Sequence, residues 1–96
     1  MATKKETNII KSFISKELDM AISMNNEFII NLFHKINLNC SPKGADNAIE
    51  NNNLQLLEKL HKWGIDCTNE GKEIAKTNNF IEITNKINEW NVQIIT

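Results

Sequence analysis

Apolar residues recur along this chain every three or four positions, in short runs separated by Asn-rich breaks. Leu18, Ala21 and Ile22 precede Asn25 and Asn26, and Ile29, Ile30 and Phe33 follow them. The order repeats with Ala45, Ala48 and Ile49, then Asn52 and Asn53, then Leu54, Leu56, Leu57 and Leu60. Ile81, Ile83 and Ile87 take the place of the leucines after Asn78 and Asn79. Spacing of three and four is the signature of helices with one buried face. Convincing period-two alternation of β-branched and aromatic residues is lacking, so the expected fold class is all-α. Ser41 is a good N-cap, and Pro42 falls at the first helical position, where its missing N–H costs nothing. One helix should run from there to about Asn51 and a second from about Leu54 to Trp63, ended by Gly64. Asn at the breaks tolerates the left-handed region and can cap the next helix.

The pattern is also periodic on a longer scale. A shift of 27 residues aligns Cys40 with Cys67, Gly44 with Gly71, Lys59 with Lys86 and Trp63 with Trp90. It also aligns Asp19 with Asp46, Ile22 with Ile49, His34 with His61 and Lys35 with Lys62, and Ala21, Ala48 and Ala75 match through all three units. No gap is needed. The expected organisation is one domain over 1–96, with units at 13–39, 40–66 and 67–93, an N-terminal cap at 1–12 and a short tail at 94–96. Gly64 has Asn37 and Asn91 as equivalents, so each second helix is expected to end at a residue able to take positive φ.

Residues 43–53, Lys-Gly-Ala-Asp-Asn-Ala-Ile-Glu-Asn-Asn-Asn, resemble the T-P-L-H-x-A-A-x-x-G-H segment of ankyrin repeats. Leu54 to Leu60 is similar to the L-E-V-V-K-x-L helix of that family, and Gly64-Ile65-Asp66 falls where it has G-A-D. The closest flavour is the shortened, Asn-rich repeats of giant viruses and other A/T-rich genomes. The resemblance covers about residues 15–93. It implies three stacked helix-turn-helix units forming a small solenoid. Units about six residues shorter than the usual 33 imply hairpin fingers reduced to tight loops. It further implies a protein-binding role, as an adaptor or inhibitor encoded by a virus or parasite.

Composition narrows the function classes. Eleven basic residues, all Lys, stand against twelve acidic ones, for a net charge of −1. Residues 17–96 carry seven Lys against eleven Asp and Glu. A nucleic-acid binder normally has a clear basic excess, so that reading is the alternative and would have to use the Lys-rich start, Lys4, Lys5, Lys11 and Lys16. No run approaches the roughly 18–20 apolar residues of a membrane span, and the first residues lack the apolar core of a signal peptide. Two cysteines in such a chain imply free thiols in a reducing, cytoplasmic compartment.

The paired His34/Cys40 and His61/Cys67 invite a zinc reading. Equivalent positions of neighbouring units lie about 8–10 Å apart, whereas zinc donors converge within about 2.3 Å of one ion. No metal is therefore expected, and the same spacing opposes a disulfide. No nucleophile–base pair and no Gly-rich phosphate loop is visible, so neither enzyme activity nor a cofactor is expected. The acidic column Asp19, Asp46 and Glu73 reads as a solvated stripe or a complement to helix dipoles.

Two surfaces are candidates for binding a protein partner. Through the ankyrin resemblance, the outward ends of the first helices are Ser23 and Met24, Glu50 and Asn51, and Thr77 and Asn78. They vary between units while the neighbouring Ala columns do not. Trp63 and Trp90 form the competing site, since Trp is frequent among interface hot spots. The blander reading has them covering the loops between units. Apolar residues at the two ends, Ile9, Ile10, Phe13, Val92, Ile94 and Ile95, would cap the array or make a contact between copies.

Overall fold

Five of the chain's helices end at a residue that can take positive φ, and these ends set the element order. The computed structural model describes the backbone of residues 4–92 and the side chains of residues 14–91. The elements are α1 (Lys4–Ser23), α2 (Glu27–Lys35), α3 (Pro42–Glu50), α4 (Leu54–Lys62), α5 (Asn69–Thr77) and α6 (Ile81–Val92). All secondary structure among the described residues is helical.

Asn25, Asn37, Asn52 and Asn79 have φ of 55°, 63°, 52° and 57°, and Gly64 has 85°. Each closes the preceding helix in the same way. At Asn52 the backbone N–H donates to the Ile49 carbonyl at 2.8 Å, and the next N–H, of Asn53, donates to the Ala48 carbonyl at 2.9 Å. Asn25 with Asn26, Asn37 with Leu38, Gly64 with Ile65 and Asn79 with Phe80 make the equivalent pairs. These are Schellman closures, which satisfy carbonyls that the helix end would otherwise leave unpaired. Asn91 differs from Asn37 and Gly64: it lies inside α6, so the expected break there does not occur.

Helix starts follow the local chemistry. The Asn26 and Asn53 side chains accept from the backbone N–H of Ile29 and Leu56. Ser41 caps α3 by accepting from the Lys43 N–H at 3.2 Å. Thr68 holds the same place before α5 but makes no capping bond with its side chain. Both hydroxyls also donate to a carboxylate of the preceding central helix, as described below.

Helix α1 packs on α3 and α3 packs on α5, while α2, α4 and α6 each pack on the helix before them. The core lies along this central layer. Ile22, Ala45, Ala48, Ile49 and Ala75 are fully buried at the junctions, with Leu56, Leu57, Leu60 and Ile83 closing it from α4 and α6. Alanine in the central layer lets the odd-numbered helices approach closely, and each buried Leu or Ile contributes about 1.5–3 kcal/mol. Ile81, expected inward, is 69% exposed.

The ankyrin resemblance and the solenoid it implies are corrected by this arrangement. The described chain is a compact six-helix globule in which the long-range contacts of α1 with α3 and α3 with α5 gather the helices about one core. Its radius of gyration is 14.2 Å, near the roughly 12–13 Å of a compact chain of this length and far from the roughly 30 Å of an unfolded one. The physical reason is the short period. With only a few residues between one helix pair and the next, no finger separates the pairs, and the helices gather about one core within extents of 47 × 33 × 21 Å. The family, solenoid and viral readings therefore fall together. The cap expected at 1–12 and the tail at 94–96 depend on side chains outside the described residues.

Candidate functional site

The 27-residue matches mark two sets of contacts that join one helix pair to the next. The first is a carboxylate clamp. Asp19 accepts from the Ser41 N–H at 2.9 Å and from its hydroxyl at 2.5 Å. Asp46 accepts from the Thr68 N–H at 2.8 Å and from its hydroxyl at 2.6 Å. Each carboxylate thus sits at the N-terminus of the next central helix, where the dipole and free N–H groups favour negative charge. With exposures of 9% and 1%, Asp19 and Asp46 are not the solvated stripe that the sequence suggests. Glu73, the third member, is exposed.

The glycine columns explain themselves here. A Cβ on Gly44 would lie 2.7 Å from both Asp19 Oδ1 and Cys40 Sγ, and one on Gly71 would collide with Asp46 Oδ1. Glycine is required where the carboxylate crosses the helix. Burial, with the Asp19 charge nearby, pushes the Cys40 thiol from its ordinary 9.0 up to about 12. Cys67 is pushed up for the same reasons, burial first and the Asp46 charge second. Both cysteines are free, and at neutral pH both are protonated, which makes them poor nucleophiles and poor metal ligands.

The second set is a pair of ring stacks. Trp63 lies on His34 with centroids 3.5 Å apart and planes 10° apart, and Trp90 lies on His61 at 3.9 Å and 8°. The other edge of each imidazole is held, His34 Nδ1 by Asn39 at 2.9 Å and His61 Nδ1 by Asp66 at 2.6 Å. Trp63 and Trp90 are half-buried, and each ties its own helix to the preceding pair. A cleft of about 230 Å³ opens beside Trp90, between His61, Cys67, Lys72 and Ile87. Among the described residues no three His, Cys, Asp or Glu side chains are grouped to hold a metal ion.

The remaining candidates form a row along one edge, at the C-terminal ends of α1, α3 and α5. Ser23, Met24, Glu50, Asn51, Thr77 and Asn78 are all exposed. Several are already engaged within the chain. The Ser23 hydroxyl donates to the Met20 carbonyl, and the Asn51 amide donates to the carbonyls of Ile22 and Ser23 at 3.2 and 2.8 Å. The Asn78 amide donates to the Ile74 carbonyl of its own helix. Among the described residues, the side chains of Met24, Glu50 and Thr77 make no hydrogen bond or ion pair. Asn51 brings the first two pairs of the row together, whereas Thr77 and Asn78 join through helix packing alone.

A larger surface adjoins Met24. Met20, Met24, Phe28, Leu32 and Ile36 are 57, 74, 75, 46 and 60% exposed. Their orientation follows from their equivalents 27 residues on. Asn47 and Asn51 donate backward to the carbonyls of Asp19, Ile22 and Ser23, and Lys59 reaches back to Asn31 at 3.2 Å and Glu27 at 3.5 Å. Trp63 reaches back to His34. The side of α3 and α4 bearing these groups is covered by α1 and α2. The same side of α1 and α2, bearing Met20, Met24, Leu32 and Ile36, is open. Sequence reasoning singled out only Met24 of this surface. The signal was available in the matched columns, where Met20, Met24, Phe28 and Leu32 stand against Asn47, Asn51, Gln55 and Lys59.

No helix among the described residues is long and apolar enough to cross a membrane. No protein-family model matches the chain, and searches of curated proteins and of solved structures likewise give no match.

Proposed function

We propose that this chain is a non-enzymatic protein-binding module whose contact face is the apolar strip of α1 and α2. One observation carries the reading: Met20, Met24, Leu32 and Ile36 share one open side and Phe28 is exposed between them in sequence, on a chain whose equivalent positions are mostly polar. Contiguous exposed apolar surface rimmed by polar residues is characteristic of interaction sites. Met24 joins this strip to the edge row, so Glu50 and Asn51 extend the contact as its polar rim, while Thr77 and Asn78 continue the row further off, on α5 beyond α3. Protonated thiols and stacked, hydrogen-bonded imidazoles leave no evident nucleophile or base, in keeping with a binding role rather than catalysis. The acidic balance of residues 17–96 favours a protein over a nucleic acid. An adaptor and an inhibitor both need only such a surface. Two free thiols fit a reducing, cytoplasmic setting.

Capture from the cells that express the protein tests the assignment, using wild type, the double variant Phe28→Glu with Leu32→Glu, and Trp63→Ala. The double variant should lose captured partners and keep its melting temperature, because both side chains are exposed. Trp63→Ala should melt lower through loss of the His34 stack. Partners retained by the double variant and lost by a normally melting Trp63→Ala would move the site to the tryptophan edge.

A further inference from the structure

We propose that the α1–α2 strip binds a second copy of this chain, in a two-fold pair with the α2 helices antiparallel. The inference rests on the reading of the strip as a binding face and names its occupant.

Head-to-tail stacking of copies is poorly supported by the residues at the two ends. Within the chain each junction uses a carboxylate on a Ser or Thr hydroxyl, with Gly beneath it. The corresponding places on α1 hold Ile14 and Glu17, so Glu73 of one copy would meet no hydroxyl and no glycine on another. The far end, around Ala75, Lys76, Asn79, Ile81, Thr84 and Asn85, exposes a single large apolar side chain, Ile81, and does not match a strip of five.

A face-to-face pair, by contrast, is self-complementary. Phe28, Leu32 and Ile36 follow one another at intervals of four, with Leu32 at the centre. Antiparallel packing about Leu32 sets Leu32 against its counterpart and Phe28 against Ile36 of the second copy. Along one flank run Glu27, Asn31 and Lys35, also at intervals of four. Flanking stripes of antiparallel helices meet their own kind, so Lys35 of each copy approaches Glu27 of the other, whose carboxylate also holds Lys59 of its own chain at 3.5 Å. Met20 and Met24 lie at the rim, where flexible thioethers adapt to a partner surface. Weighted by their exposure, the five side chains offer about 600 Å² per copy, hence about 1,200 Å² for the pair, at the lower edge of specific interfaces. Closed two-fold symmetry is also the commonest arrangement of identical subunits.

Sedimentation equilibrium of the full chain across a concentration series tests this, since one copy has a mass of 11.0 kDa. Wild type should approach twice that mass in the micromolar range. Leu32→Glu, which places two like charges on the axis, should weaken association at least about tenfold with an unchanged helical melt. Orientation is read by oxidative cross-linking: Phe28→Cys mixed with Ile36→Cys should link to each other, and Phe28→Cys alone should not link to itself. A wild type that stays monomeric to about 100 μM, or a Leu32→Glu variant that dimerises as wild type does, overturns the proposal. A monomer whose captured partners are still lost in the Phe28→Glu, Leu32→Glu variant overturns self-association alone and leaves the binding face standing. Self-linking of Phe28→Cys overturns the antiparallel arrangement.

Discussion

Helices α1 and α2 carry the same turn, the same Asn cap and the same buried columns as α3 and α4, yet the two pairs live in different surroundings. The α3–α4 pair is covered on both sides. Its back is held by Asn47, Asn51, Lys59 and Trp63, and its front by the Asp46 clamp on Thr68. The α1–α2 pair is covered only in front, through Asp19 and Ser41. At the matching back positions it carries Met20, Met24, Leu32 and Ile36, all exposed. The covered back is largely polar and the open back is apolar. Polar side chains can be satisfied at a junction where carbonyls and carboxylates of a neighbour are fixed in place. Apolar side chains at an open face have no such partners within the chain, and they point to association with something outside it.

The largest expected effects lie in the covered region. Asp46→Ala leaves the Thr68 N–H and hydroxyl without their acceptor and should destabilise by about 3 kcal/mol, since hydrogen bonds to a charged group contribute about 1.5–3 kcal/mol each. Asp19→Ala should cost somewhat less, because Asp19 is the more exposed of the two. Chemical denaturation of both variants makes the comparison, and equal or negligible losses would remove the clamp as the element joining the pairs.

A smaller effect is expected where the two pairs are alike. Asn25→Ala and Asn52→Ala both force a β-carbon-bearing residue without a local polar side chain into positive φ. Each should cost about 1 kcal/mol, and the corresponding Gly variants should cost less. Asn25 additionally accepts from the Asn53 amide at 3.0 Å, so its alanine variant should be the worse of the two by a few tenths. Thermal melts of the four proteins decide this.

The smallest effect is the most discriminating. Giving α1 and α2 the residues of α3 and α4, by Met20→Asn, Met24→Asn, Phe28→Gln and Leu32→Lys together, should change folding stability by no more than about 0.5 kcal/mol per site when measured on the monomer. Binding of a hydrophobic dye and retention on a hydrophobic column should fall. A large loss of monomer stability would mean that the strip packs within the chain.

The legibility of this molecule in its sequence divides by range. Ser41, Pro42, Asn26 and Asn53 announced their caps, and the Asn and Gly turn positions were found because each acts within a few residues of itself. The Gly44/Gly71, Asp19/Asp46 and His/Trp columns were visible as matches without their meaning. Asp46 reads as a surface charge until Thr68 is brought to it, 22 residues on. Thr68 likewise reads as a cap until its hydroxyl is found on Asp46. Phe28, Leu32 and Ile36 lie at helical spacing, and that spacing by itself does not tell an exposed face from a buried one.

Sequence alone therefore determined the helix ends at Asn25, Asn37, Asn52, Gly64 and Asn79, though not the run of α6 through Asn91, together with the helical class of the described residues and which positions correspond across 27 residues. Those properties arise from capping bonds, left-handed Asn and Gly, and spacing along a single helix, all decided within one or two turns. Only the tertiary structure decided that the helices gather into a compact globule rather than an ankyrin-like array. It alone decided that two aspartates are buried at helix starts and that the back of α1 and α2 is left open. Burial depends on which distant segments meet, and the contacts that settle it here, Asp19 with Ser41 and Asn51 with Ile22 among them, join residues 22 to 29 positions apart. No local rule reaches across that separation.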